Sequence, residues 1–163
     1  EITSFESYAI YHPQSAYEGK SPYGKFEISG GKITGKKGVI SMGGGVKDHI
    51  TLRISGGDFI SGSDHIIFLD NSKCTTKTKV QSVKVTGGNF TNAMSGCFCK
   101  VSLTTKGSVY QPAFSYLSGG MYKNISEDNF MVDTTGKTYK DAQYQANYQY
   151  HDNGDGTWSV IKK

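Results

Sequence analysis

The sequence predicts an all-β fold, a right-handed single-stranded parallel β-helix of about four to five coils closed by a C-terminal hairpin cap. The first observation behind this prediction is a double glycine that recurs along the chain. The second is the alternation of apolar and polar residues in front of it, which is typical of a strand with one buried face. The third is the composition, because 21 glycines, 3 prolines and 11 tyrosines suit turn-rich β-structure better than a helical bundle.

The double glycine marks four repeats of a solenoid. Its first glycine falls at positions 30, 56, 87 and 119, so successive repeats begin 26, 31 and 32 residues apart. A glycine pair permits a backbone corner that a Cβ atom would obstruct, and an apolar residue stands two positions after the second glycine. The glycines to which we assign this structural role are Gly30, Gly31, Gly56, Gly57, Gly87, Gly88, Gly119 and Gly120.

Each repeat supplies short strands that we expect to stack on those of its neighbours. Phe26 and Ile28 alternate with polar residues before the first double glycine, and Leu52 and Ile54 do so before the second. A further apolar run completes most repeats, as in residues 65–69. Stacking would place one inward-facing residue of each repeat in a single column, formed by Ile28, Ile54, Val85 and Leu117.

The chain is long enough for one domain, in which residues 1–138 form the coils with their loop insertions and residues 139–163 form a capping segment. The capping segment contains a turn of alternating Asp, Asn and Gly, which predicts a β-hairpin. Asp152 and Asp155 in this turn are also a weak candidate for a calcium loop. Because Lys162 and its neighbour stand where the last acidic ligand would be, the hairpin is favoured and no cofactor is expected.

The formal net charge of +4 comes from scattered lysines and one arginine, Arg53, without a run of five or more like charges. This pattern argues against nucleic acid as a partner; it leaves a mild preference for anionic glycans as the alternative to solvated surface lysines. The sequence has no stretch of about 18 apolar residues, so insertion into a membrane is not expected.

Three cysteines are too few for a disulfide scaffold. Cys97 and Cys99 are expected on the same face of a strand, either as small core residues or with one of them bridged to Cys74.

Three stretches of the sequence carry a resemblance to a known group of proteins. They are Ala-Ile-Tyr-His-Pro-Gln at residues 9–14, the repeated Ile-Ser-Gly-Gly units, and the ending Asp-Asn-Gly-Asp-Gly-Thr-Trp-Ser-Val at residues 152–160. Together they resemble the right-handed β-helix repeat regions of large surface proteins of Gram-positive, gut-type bacteria. The resemblance implies a secreted or cell-surface location and an adhesin-like or glycan-contacting role. The chain departs from simple repeats by its long inserts at residues 14–25, 70–82 and 103–115.

The inserts are the first candidate binding regions, because loops on a rigid scaffold often carry function. They hold or border four tyrosines, which could stack on sugar rings and bond to their hydroxyls, or could instead pack against the scaffold as loop anchors. The tyrosines are Tyr17, Tyr23, Tyr110 and Tyr116.

A carbohydrate-active enzyme, either a polysaccharide lyase or a glycoside hydrolase, is the alternative of a different class. Such an enzyme needs clustered acids, or a metal held by carboxylates. The residues available for it are Asp58, Asp64, His65 and Asp70, which lie around one predicted strand, but a solvated acidic edge is the favoured interpretation of them.

The sequence therefore favours a non-catalytic extracellular module that binds a glycan or a cell-surface protein of a host or microbe. The enzyme is the first alternative. A structural spacer in a long surface protein, or the stem of a phage fibre, is the second. Release of sugar fragments would indicate an enzyme, and binding to a glycan would indicate a binding module. Neither result would favour the spacer.

Overall fold

The computed structural model describes residues 1–12, 24–43, 50–70, 82–102, 117–139 and 143–163. These residues form strands, turns and bends and contain no helix, so none of them forms a helix that could cross a membrane. The chain is therefore all-β where it is described, as predicted.

Fourteen strands are present in the described part of the chain. They are β1 (Ile2–Ser4), β2 (Tyr8–His12), β3 (Gly24–Ile28), β4 (Lys32–Gly35), β5 (Gly38–Gly43), β6 (Ile50–Ile54), β7 (Asp58–Ser61), β8 (His65–Asp70), β9 (Ser82–Val85), β10 (Asn89–Ser102), β11 (Met121–Ile125), β12 (Met131–Asp133), β13 (Tyr148–Asp152) and β14 (Thr157–Lys162).

The strands in front of the double glycines form a three-stranded parallel sheet in the order β3, β6, β9. Its register places Ile28 beside Ile54, and Ile54 beside Val85, while an isolated bridge adds Leu117. Val85 and Leu117 are fully buried. The predicted column of inward-facing residues is confirmed.

The other eleven strands belong to one larger sheet with two branches that meet at β10. The first half of β10 pairs with β7 on one side and β11 on the other, whereas its second half pairs with β8 and β12. All four of these pairings are parallel. A single strand of 14 residues thus links both branches of the sheet.

The predicted fold class, a right-handed single-stranded parallel β-helix, is wrong for this chain. The large sheet is mixed, because β14 runs antiparallel to both β11 and β13. The physical reason is the packing of Trp158, whose ring stacks on Tyr122 at 4.2 Å and brings β14 into the sheet as its next strand. The predicted hairpin around residues 152–157 is confirmed, since β13 and β14 pair across that turn.

The two glycines of each pair have different roles. The second glycine takes a positive φ, for example 112° at Gly57 and 111° at Gly88, which L-residues with a side chain rarely adopt. In the second, third and fourth pairs the first glycine lies against the backbone of the preceding repeat, and a Cβ at Gly87 would come within 2.6 Å of the Ser55 carbonyl oxygen. The corner thus belongs to the second glycine, and the first allows two segments to approach closely.

The core contains a row of aromatic rings that crosses from one paired strand to the next. Phe59 stacks on Phe90 at 5.0 Å, Phe90 on Tyr122 at 5.1 Å, and Tyr122 in turn on Trp158. The rings of Phe59, Phe90 and Tyr122 are at most 1% exposed. Phe98 meets Phe90 edge-on at 5.0 Å and so ties the row to the second half of β10.

Candidate functional site

A cleft of about 440 Å³ is lined by the residue before β8, by the second half of β10 and by residues in and around β12. It combines charged, amide and hydroxyl side chains with exposed backbone. The lining residues are Asp64, Gly96, Cys97, Lys100, Asn129, Val132, Asp133, Thr134, Thr135 and Gly136.

Asp64 and Lys100 line one wall of the cleft and begin a chain of four polar side chains that continues into the protein. Lys100 Nζ donates to Asp64 Oδ2 at 2.9 Å, and the other carboxylate oxygen lies 2.7 Å from His65 Nδ1. The opposite ring nitrogen, Nε2, lies 2.9 Å from the hydroxyl oxygen of Tyr8. The parallel pairing of β8 with β10 explains these contacts, because it places His65, at the start of β8, beside Cys97, in the middle of β10.

The protonation states in this chain follow from burial and hydrogen bonding. Burial disfavours the charged imidazolium and lowers the pKa of His65. Burial alone would raise the pKa of Asp64, but the hydrogen bonds from His65 and Lys100 outweigh it and hold that pKa below its usual value. Burial, with the nearby carboxylates, raises the pKa of Tyr8 to about 12. At neutral pH a neutral His65 donates from Nδ1 to the ionised Asp64 and accepts from Tyr8.

The opposite wall is organised by a second carboxylate, Asp133, which is 1% exposed. Its Oδ1 accepts from the backbone N–H of Thr135 at 2.8 Å, from the Thr135 hydroxyl at 2.6 Å and from the Lys137 N–H at 3.1 Å. Its Oδ2 accepts from the Tyr139 hydroxyl at 2.9 Å. Burial would raise the pKa of Asp133, but these bonds keep it lowered. Asp133 therefore holds the turn after β12 in place, and both of its carboxylate oxygens are occupied by bonds within the protein.

Of the four residues considered for an enzyme, the structure brings only Asp64 and His65 together. Asp70 lies at the far end of β8, about 16 Å along the strand from His65. There it accepts a hydrogen bond from the Ser102 hydroxyl at 2.7 Å. Asp58 starts β7 and accepts from the Asn89 amide at 2.8 Å. The carboxylates are thus far apart, with Asp58 on β7 and with Asp64 and Asp70 at opposite ends of β8.

The four tyrosines that the sequence proposed for ligand binding, Tyr17, Tyr23, Tyr110 and Tyr116, lie outside the described residues, as does Cys74. Their predicted roles stay predictions. Cys97 and Cys99 are buried with free thiols, and burial raises the pKa of the Cys97 thiol to about 12.

The weak calcium candidates both serve the hairpin turn. Asp152 accepts from the Gly154 N–H at 2.9 Å, and Asp155 accepts from the N–H of Thr157 at 3.0 Å and from its hydroxyl. Within the described ranges no three His, Cys, Asp or Glu side chains are grouped so that they could hold a metal ion.

Sequence reasoning did not assign Lys100, Asn129 or Asp133 to a site. The position of Lys100 could have been inferred, because a charged residue between the apolar Cys99 and Val101 is expected to face outward from a strand. Asn129 and Asp133 carried none, since they follow the last double glycine in a segment without the repeat pattern.

Comparison with known proteins adds no relative: no protein-family model matches the chain, and no curated protein or solved structure is similar to it.

Proposed function

We propose that this chain is a non-catalytic, extracellular glycan-binding module of an adhesin-like bacterial surface protein, and that the cleft beside Lys100 binds the sugar. The observation that carries the proposal is the fixed pair of Asp64 and Lys100 at the mouth of a cleft large enough for a small sugar. The resemblance to surface proteins of gut-type bacteria supports the extracellular location.

The chemistry of the cleft suits sugar hydroxyls, which both donate and accept hydrogen bonds. Asp64 offers an acceptor and Lys100 a donor, with side chains 40% and 31% exposed. Asn129 supplies an amide that can both donate and accept hydrogen bonds, and Thr134 and Thr135 line the same cleft. A few convergent polar groups in a concave site are typical of small-ligand binding.

The same geometry argues against sugar hydrolysis. A glycosidase needs one carboxylic acid that is protonated at working pH and a second carboxylate across the scissile bond. Hydrogen bonds lower the pKa of both Asp64 and Asp133, so neither supplies that acid. His65 is buried, and both of its ring nitrogens are already hydrogen-bonded.

Binding of neutral oligosaccharides to an array, followed by titration calorimetry on the best ligand, tests the proposal. We expect Lys100→Met and Asn129→Ala each to weaken binding by about tenfold, because each removes a hydrogen bond to the ligand. Lys162→Met, on the exposed end of β14, is the matched control and should bind like the wild type.

Three outcomes would contradict the proposal. Release of reducing or unsaturated sugars by the wild type, lost in Asp64→Asn, would assign an enzyme. Sugar binding that survives both cleft substitutions would move the site elsewhere. The absence of binding to any glycan would favour a structural spacer.

A further inference from the structure

A second polar surface lies on the outer face of the three-stranded sheet β3, β6, β9, away from the Asp64 cleft. Its register places Glu27 beside Arg53, and Arg53 beside Lys84, so three charged side chains form one row across the strands. The row lines a groove of about 460 Å³. We call these three residues the charged row.

The charged row has an excess of positive charge. Glu27 is its one carboxylate, and it is shared between Lys25 at 2.8 Å and Arg53 at 3.5 Å. These hydrogen bonds and charges lower the pKa of Glu27, so it stays ionised. In the part of the chain that the structure describes, Lys84 has no carboxylate partner.

Parallel pairing makes this arrangement unfavourable in the absence of a ligand. Adjacent strands are about 4.8 Å apart, so the cationic side chains of Arg53 and Lys84 are held side by side. Like charges directly opposite each other on neighbouring strands repel. An anion seated between these two groups would relieve the repulsion and accept hydrogen bonds from both.

A row of hydroxyl groups runs beside the charged row. Ser29, Ser55 and Thr86 each follow it by two positions in their segments, and all three line the same groove. Residues two apart on an extended chain point to the same side. The groove therefore offers cationic groups along one row and hydroxyl groups along the next.

We propose that this groove binds an anionic polysaccharide, whose carboxylate or sulfate groups contact Arg53 and Lys84 and whose hydroxyls contact the Ser29, Ser55 and Thr86 row. A polysaccharide fits better than a nucleic acid. The chain has a single arginine, and none of the residues that line the groove offers an aromatic ring for a base to stack on. This site is separate from the cleft and does not rest on the function proposed for it.

The test uses the whole chain and three oligosaccharide probes: a sulfated heparin-type fragment, a polygalacturonate fragment and neutral dextran. We expect binding to at least one anionic probe, no binding to dextran, and affinity that falls steeply as salt is added. The sulfated and carboxylated arms identify which anionic group the groove accepts.

Substitutions then locate the site. Arg53→Gln combined with Lys84→Gln should weaken binding by about tenfold or more, because both cationic contacts are lost. Glu27→Gln should strengthen binding severalfold, since it removes the carboxylate that competes for Arg53. Lys162→Gln combined with Lys163→Gln changes the net charge equally, at exposed positions on and just after β14, and should have little effect.

Two results would overturn the proposal. One is an equal loss in the Lys162 and Lys163 control, which would show only a response to net charge. The other is stronger binding to a single-stranded DNA of matched charge than to either acidic sugar. Lys100→Met should leave this binding intact, so failure here and failure of the cleft proposal are distinguishable.

Discussion

The inward row of aromatic rings and the outward charged row arise from the same kind of parallel pairing, with opposite consequences. Phe59, Phe90 and Tyr122 lie one above the next at 5.0 and 5.1 Å, and their stacking stabilises the core. Arg53 and Lys84 also lie side by side, but their charges repel. Parallel register therefore places aromatic rings together inside, which is favourable, and two cations together outside, which is unfavourable.

The largest expected effect comes from breaking the inward row. Phe90→Ala should lower the free energy of unfolding by about 3–5 kcal/mol, because the side chain is 1% exposed and packs against rings on three sides. Chemical denaturation monitored by circular dichroism measures this change. Met94→Ala, on the same strand but 56% exposed, is the control. A loss no larger than that of the control would mean that the row does not carry the stability we assign to it.

A smaller loss is expected where a first glycine lies against the backbone of the preceding repeat. Gly87→Ala should destabilise the protein by about 1–3 kcal/mol, since its Cβ would meet the Ser55 carbonyl oxygen at 2.6 Å. Gly30 occupies the same place in the first repeat, yet a Cβ there meets nothing within 4 Å. Gly30→Ala should therefore be tolerated. Equal melting temperatures for the two variants would remove the distinction between them.

The smallest effect is expected on the outward row, where side chains are solvated. Lys84→Glu places a carboxylate beside Arg53 and should raise the free energy of unfolding by less than about 1 kcal/mol. The gain should disappear in about 1 M salt, which screens exposed charges. Destabilisation at low salt would show that Arg53 and Lys84 do not repel each other in the free protein.

The strands before the double glycines could be predicted because each has one buried face, and period-two alternation records that directly. The continuation of β10 could not. Residues 91–96 lack the alternating apolar pattern and predict a break, but Asn92 is fully buried and donates from its side-chain amide to the Cys97 carbonyl at 2.9 Å. This hydrogen bond within β10 spans the stretch where the pairing with β11 shifts register, and no sequence pattern records it. The antiparallel placement of β14 likewise depends on the contact of Trp158 with Tyr122.

The site was only half predictable. Asp64 and His65 are neighbours in sequence, so their association required no knowledge of the fold. Asp58 and Asp70 are also near in sequence, but the strands carry them away, and each bonds to a side chain of another strand. Lys100 comes from 36 positions further along the chain and meets Asp64 only through the pairing of β8 with β10.

The contact that fixes β14 also gives the molecule an intrinsic optical reporter. Trp158 is the only tryptophan in the chain; it is 6% exposed, and its indole N–H donates to the Ile125 carbonyl at 2.6 Å. Its fluorescence therefore reports on one junction, between the hairpin and the parallel strands. Detachment of the hairpin would expose the indole to water and shift its emission to longer wavelength, before or after the rest of the sheet unfolds. A comparison of this emission with circular dichroism, which follows all the strands, can thus reveal in unlabelled protein whether the hairpin detaches together with the rest of the sheet or separately.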